Sequence, residues 1–255
     1  MKILKVCVGH KVPDFNPGPD HLMLCPNTLG LPNELVLSDD RFGSKFVGSS
    51  LAEYSQLFGL ADLLSSGAIS ADMLFLFQYR KFISPNEGGY QSVASWVKVI
   101  SRTQGSELFP SRDTLLGYKG NLIVGSLLDL NESISASYAK VHVIEDLVTF
   151  SAACSESGMV NDVTIKQLAS MRGIIPSPAL CYVSVELFIN LMNILRAVTN
   201  AFMPYYHTRR DGYQMRSTGY LLERLHSVLI CQLISDGFIS SAGIWNRYVV
   251  NPEIA

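Results

Sequence analysis

No long stretch of this chain is free of charge, no two of its cysteines stand at C-x-x-C spacing, and its 255 residues contain no Asp-x-Asp and no glycine-rich phosphate loop. Each absence excludes something. The most apolar long stretch, Ala179 to Met203, carries Glu186, Asn190, Asn193 and Arg196, which is too much polarity for an uncharged span of about 20 residues, so no transmembrane helix is expected. The five cysteines (Cys7, Cys25, Cys154, Cys181, Cys231) are scattered, and three of them sit in apolar runs. They read as buried free thiols of a reducing compartment. The histidines His21, His207 and His226 have no metal-ligand spacing. The start, Met1 to Val8, is interrupted by Lys5 and followed by His10 and Lys11, so it lacks the apolar region of a signal peptide and reads as a first strand. A net charge of −2 gives no reason to expect nucleic acid as a partner, and any basic site must be local.

Nearly half of the residues, 48%, are hydrophobic, enough for a sizeable core, and no repeat, low-complexity tract or charge block marks a boundary. One domain over residues 1–255 is the expectation. After the first strand, Pro13, Pro17, Gly18 and Pro19 enforce a loop, and the chain reads as irregular to about residue 50. From Ser49 to Leu64, apolar residues at three- and four-residue steps predict a helix that Ser49 or Ser50 caps and Gly67 ends. Met73 to Phe77 is a continuous apolar run of strand length, suited to a sheet covered on both faces. Residues 84–120, rich in Ser, Gly, Asn and Pro, read as a surface excursion around a short apolar piece at Val93 to Ile100. A strand is expected at Leu122–Val124, helices at Ile134–Phe150, Val163–Met171, Glu186–Phe202 and Ser217–Ser235, and an edge strand at Ile244–Val250.

Strand, helix and strand in this order form a crossover unit, and ligands of open α/β sheets sit beyond the carboxyl ends of the strands. That places Gln78-Tyr79-Arg80-Lys81 at a candidate site. Arg80 offers a planar fork of donors to phosphate oxygens and Lys81 adds a point charge; the alternative is ordinary solvated charge after a strand. His10 and Lys11 follow the first strand and either contact a nucleotide or cap the strand end. Glu53 either binds a sugar hydroxyl or faces solvent. His142 and Asp146, four apart on one expected helix, either act together on an acceptor proton or form a surface pair. Glu223 and Arg224 interrupt an otherwise apolar helix face and must be paired if buried; Arg216 stands ready for a phosphate or sugar.

Several of these segments, in order along most of the chain, resemble a family of bacterial capsule and exopolysaccharide glycosyltransferases, a domain of unknown function that includes galactofuranosyltransferases. Val8-Gly9-His10-Lys11-Val12-Pro13 is similar to the family's strand ending in His-Lys-Pro. Leu51-Ala52-Glu53-Tyr54 and Phe77-Gln78-Tyr79-Arg80-Lys81 are similar to its Tyr-Cys-Glu-Leu-Thr and His-Tyr-Arg-Arg segments. Tyr138, His142, Asp146 and Leu147 match Tyr-x-x-x-His-x-x-x-Asp-Leu, and the run Arg216 to Leu225, with Gly219, Glu223 and Arg224, resembles the closing Arg-x-x-Gly-x-Leu-x-Glu-Arg-Leu. Gln78 replaces the family's histidine, Lys81 its second arginine, and Gly-Asp-Asn-Ile-Ser has no clear counterpart near Gly43-Ser44.

The resemblance implies a divergent member with a single-domain α/β, GT-A-like nucleotide-sugar-binding fold around a mostly parallel central sheet. It implies a nucleoside diphosphate sugar as donor, a UDP-sugar foremost, and a saccharide or lipid-linked acceptor. The expected location is cytoplasmic or peripheral at the inner face of the cell membrane. His10, Lys11, Gln78, Tyr79, Arg80 and Lys81 would hold the donor, with no metal and no further cofactor. Glu53, Arg216, Glu223 and Arg224 would contact substrate, and Asp146 or His142 would serve as base. The alternative is a catalytically degenerate carbohydrate- or nucleotide-binding protein of the same fold.

Overall fold

The structure, a computed structural model, describes residues 1–37, 50–91, 96–205, 212–237 and 242–254. In chain order its strands are β1 (Ile3–Val8), β2 (His21–Cys25), β3 (Glu34–Val36), β4 (Met73–Gln78), β5 (Lys81–Ser84), β6 (Tyr90–Gln91), β7 (Lys98–Ile100), β8 (Leu122–Gly125), β9 (Leu128–Asp129), β10 (Gly173–Ile174), β11 (Cys181–Ser184) and β12 (Ala242–Val250). The helices are α1 (Tyr54–Ser65), α2 (Arg102–Leu108), α3 (Arg112–Gly117), α4 (Ile134–Ala139), α5 (Ile144–Glu156), α6 (Asp162–Ser170), α7 (Val185–Phe202) and α8 (Ser217–Ser235).

Among the described residues ten strands join in one sheet, in the order β3-β2-β1-β4-β11-β8-β12-β7-β6, with β5 paired to β12 and β4 off that path. The neighbours of β1, the pair β2/β3, and the pairs β12/β7 and β12/β8 run parallel. The contacts of β11 with β4 and β8, of β5 with β12 and β4, and of β6 with β7 run antiparallel. The expected mostly parallel sheet is therefore a mixed one. The cause is local: β11 enters between two parallel strands against their direction, and β5 folds straight back from β4 as a hairpin.

Strand alternation divides the core in two. Along β4, Leu74 and Leu76 face a cluster built with α1, α5, α7 and α8, while Met73, Phe75 and Phe77 face a second cluster. In that second cluster Phe77 meets Phe109 edge-on at 4.8 Å and Phe15 lies 5.0 Å from Phe82. Both faces are covered, as the unbroken apolar run of β4 requires.

Helices α6, α7 and α8 match the expected spans to within a residue. Gly67, at φ +75°, follows α1 as expected, but α1 begins at Tyr54 with no side-chain cap. Ser49 and Gly43-Ser44 lie outside the described residues. The strands β2, β3 and β11 were not anticipated, and residues 84–120, expected as a surface excursion around one apolar piece, carry β6, β7, α2 and α3. The closing strand is no edge: β12 is flanked by β8, β7 and β5. Four cysteines are buried and all five are free. No helix of the described residues is long and apolar enough to cross a membrane.

Truncating Phe109, the hub of the aromatic cluster, should cost about 3–5 kcal/mol. Urea unfolding of Phe109→Ala checks this; an unchanged midpoint would show that the second cluster carries no stability.

Candidate functional site

The carboxyl ends of β1, β2 and β4 and the turn that leads into β11 open on a cleft of about 1190 Å3. Its position beyond the strand ends is where an open α/β sheet holds ligands. Gln78 pairs with Lys81, so Tyr79 and Arg80 form a two-residue turn between β4 and β5. The turn is pinned from both sides, by Asp14 N–H donating to the Tyr79 carbonyl (2.7 Å) and Val250 N–H to the Arg80 carbonyl (2.8 Å). Gly9 lets the Tyr79 ring lie flat on β1's end, since a Cβ there would sit 3.2 Å from Tyr79 Cδ1. His10 meets the same ring edge-on at 5.3 Å, and the Arg80 guanidinium lies 5.5 Å from its centroid.

Helix α8 supplies the opposite wall. Gly219 N–H donates to the Ser50 carbonyl at 2.8 Å, and a Cβ on Gly219 would come within 2.9 Å of the Ala52 Cβ, so only glycine allows the approach. Ala52 holds φ +51° at this contact, an uncommon conformation for a residue with a side chain, and it orients Glu53 at the start of α1. Glu53 accepts a hydrogen bond from Gln78 Nε2 at 3.2 Å. Ser177, at φ +50°, donates its N–H to Glu223 at 2.6 Å. Arg224 donates to the Tyr220 carbonyl at 2.9 Å and lies over the Tyr138 ring at 4.8 Å, and Arg216 lies 5.8 Å from the Tyr220 ring.

The structure thus gathers His10, Glu53, Gln78, Tyr79, Arg80, Lys81, His142, Arg216, Glu223 and Arg224 around one cleft. Lys11 and Asp146 are outside its lining. Lys11 is exposed beside His10, whereas Asp146 is 6% exposed in the first turn of α5. The expected continuous helix over 134–150 is broken between Ala139 and Ile144, so His142 and Asp146 do not share a helical face. Gln214 bonds at the break: it donates to the Val141 carbonyl at 2.6 Å and contacts His142 Nδ1 at 3.2 Å, and the His142 ring lies between Tyr138 and Tyr220 at 4.5 and 4.6 Å.

Electrostatics bind the set together. Burial, then the negative charge of Glu223, raises the Glu53 pKa above the usual carboxylate range, against Arg216 and Lys81. Burial lowers the Lys81 pKa, which Glu223 and Glu53 oppose. Burial and then the cations Lys11, Arg216 and Arg80 lower that of His10; burial likewise lowers that of His142, which the bond with Gln214 opposes. Four cationic side chains, Arg80, Lys81, Arg216 and Arg224, therefore share a cleft with two carboxylates in a chain whose net charge is −2. Such a site suits a ligand with more than one negative charge.

Arg247 escaped the sequence reading. It is 2% exposed, donates to the carbonyls of Trp96 (3.1 Å) and Ser126 (3.4 Å), and its Nε has no partner among the described residues. Gly125 leaves room for it, because any Cβ there would overlap the guanidinium. Burial lowers its pKa to about 10, against the pull of Glu223, so it stays charged at neutral pH behind Trp96, which lines the cleft. Among the described residues no group of three or more His, Cys, Asp or Glu side chains is placed to hold a metal ion; Asp39-Asp40 lie outside them.

No family model matches the chain, and no curated protein matches it. Among solved structures, the apo structure of the bifunctional glycosyltransferase WbbM aligns with a TM-score of 0.74 at 13% identity, over 98% of this chain and 45% of that one. The likeness shows a glycosyltransferase-like fold, and this chain spans less than half the length of that protein.

A carboxyl whose folded pKa lies above its unfolded value, near 4.3, stabilises the fold most below that value and loses the contribution as pH rises through the folded pKa. Glu53→Gln removes this loss. The melting temperature of the variant relative to the wild type should therefore climb as pH rises above about 4.3; a difference independent of pH would contradict the raised pKa.

Proposed function

We propose that the cleft binds a nucleoside diphosphate sugar and transfers its sugar to a hydroxyl of a saccharide or a lipid-linked acceptor, as in the assembly of a surface polysaccharide. The observation that carries this reading is the pinned Tyr79-Arg80 turn, with Lys81, at the carboxyl edge of a sheet that has a glycosyltransferase-like fold. The diphosphate lies against Arg80 and Lys81, with Arg216 closing over it. In this reading the side-chain cations take up the charge that develops on the departing diphosphate, the part that a divalent cation plays in metal-dependent transferases. His10 and Tyr79 flank the nucleotide. Trp96, Tyr220 and His142 border the space left for the sugar and acceptor. A lipid-linked acceptor would bring the protein to a membrane surface.

The second reading, a binding protein that has lost catalysis, is favoured by one observation: Gln78 cannot donate a proton as an imidazolium could, and its amide is committed to Glu53. Turnover separates the two. A protein that binds one sugar nucleotide but neither hydrolyses nor transfers it would be the binding protein.

Charge-assisted hydrogen bonds contribute about 1.5–3 kcal/mol, so Arg80→Ala should weaken UDP-sugar binding by about 10- to 100-fold. Calorimetric titration, with and without chelator, measures this. Unchanged affinity in the variant would remove Arg80 from the donor site, and binding that vanishes with chelator would replace the side-chain cations by a metal ion.

A further inference from the structure

We infer that Glu53 is the base that takes the proton from the acceptor hydroxyl, with Glu223 lining the same cleft from α8. This rests on the glycosyl-transfer reading. Three carboxylates are near enough to the chemistry to be weighed. Asp146 lies outside the lining of the cleft, in the first turn of α5. Glu223 lines it but is engaged by the Ser177 amide at 2.6 Å. Glu53 lines the cleft next to the basic turn, and the only side chain that hydrogen-bonds it among the described residues is Gln78, at 3.2 Å.

The backbone around Glu53 is built to hold it there. Ala52 keeps a positive φ of 51°, Gly219 brings α8 directly against Ala52, and the next residue, Tyr54, is buried with its hydroxyl 3.2 Å from His226 Nδ1. Strained backbone of this kind persists where the surrounding structure over-determines it. The charged and titratable groups facing Glu53 are Glu223 from α8, Arg216 before α8, Lys81 from β5 and its neighbour Tyr54. Burial, and then the like charge of Glu223, keep Glu53 a stronger base than an ordinary carboxylate, which suits proton abstraction.

The step balances without a further reactant. The acceptor O–H proton passes to Glu53 as the acceptor oxygen bonds to the anomeric carbon. The bond from that carbon to the phosphate oxygen breaks, its electron pair leaving on the diphosphate against Arg80, Lys81 and Arg216. Glu53 then returns its proton to solvent.

The test compares wild type, Glu53→Gln, Glu53→Asp and Glu223→Gln with a panel of uridine, guanosine and thymidine diphosphate sugars, with water or a p-nitrophenyl hexoside as acceptor. Nucleoside diphosphate release gives turnover and calorimetry gives donor affinity. Glu53→Gln should lose about 10²–10⁴ in turnover while its donor Kd stays within about threefold, and Glu53→Asp should recover part of the loss. The acid limb of the kcat/KM profile should disappear in Glu53→Gln and move to lower pH in Glu223→Gln, because removing a neighbouring negative charge lowers the Glu53 pKa. Turnover within about threefold of wild type in Glu53→Gln, a parallel loss of donor affinity, or an acid limb unmoved in Glu223→Gln would overturn the assignment. A wild-type protein that never turns over a bound donor overturns the transfer reading itself, and the inference with it.

Discussion

Strand β4 must bury both of its faces, and much of the molecule follows from that requirement. Leu74 and Leu76 need the helical layer of α1, α5, α7 and α8, while Phe75 and Phe77 need the aromatic cluster on the other side. The first residue of the run that can leave the core is Gln78. The chain reverses there at once, and the turn carries Arg80 into the open at the carboxyl edge while Lys81 is drawn back into β5. A basic turn at the end of a doubly buried strand is thus a consequence of packing. The backbone bonds from Asp14 and Val250 then keep it from moving when charge arrives.

The second constraint is electrostatic. Two carboxylates, Glu53 and Glu223, are held by different local devices, a positive-φ alanine for one and the amide of a positive-φ serine for the other. Burial and the charge of Glu223 raise the cost of ionising Glu53, and Arg216 and Lys81 oppose it. The cleft thus sets Arg80, Lys81 and Arg216 beside two carboxylates. Function and stability are set against each other in the same few residues.

Long, periodic segments were legible in the sequence: α6, α7 and α8 emerge where their apolar steps place them, and the apolar run of β4 led directly to the turn that follows it. Glu53, Arg216, Glu223 and Arg224 were singled out as substrate contacts by a resemblance of motifs, and the structure brings them to one cleft. What stayed hidden depended on contacts remote in sequence. The break before α5 has no proline or glycine to announce it, and Gln214, which bonds there, is 72 residues from His142. Strand β11 merges in sequence with the apolar run of α7, so its antiparallel insertion and the mixed sheet were invisible. Arg247 was missed because nothing local shows that β12, expected at an edge, is paired on both sides.

The central claim is that a sugar nucleotide lies with its diphosphate on the Tyr79-Arg80 turn and its sugar toward Glu53. A crystal structure with a bound UDP-sugar tests it most directly. The account predicts phosphate oxygens within hydrogen-bond distance of Arg80 and Lys81 and the anomeric carbon on the Glu53 side of the cleft. A diphosphate seated elsewhere would contradict it, for example in the separate cavity of about 640 Å3 bordered by Pro13, Phe15 and Arg102.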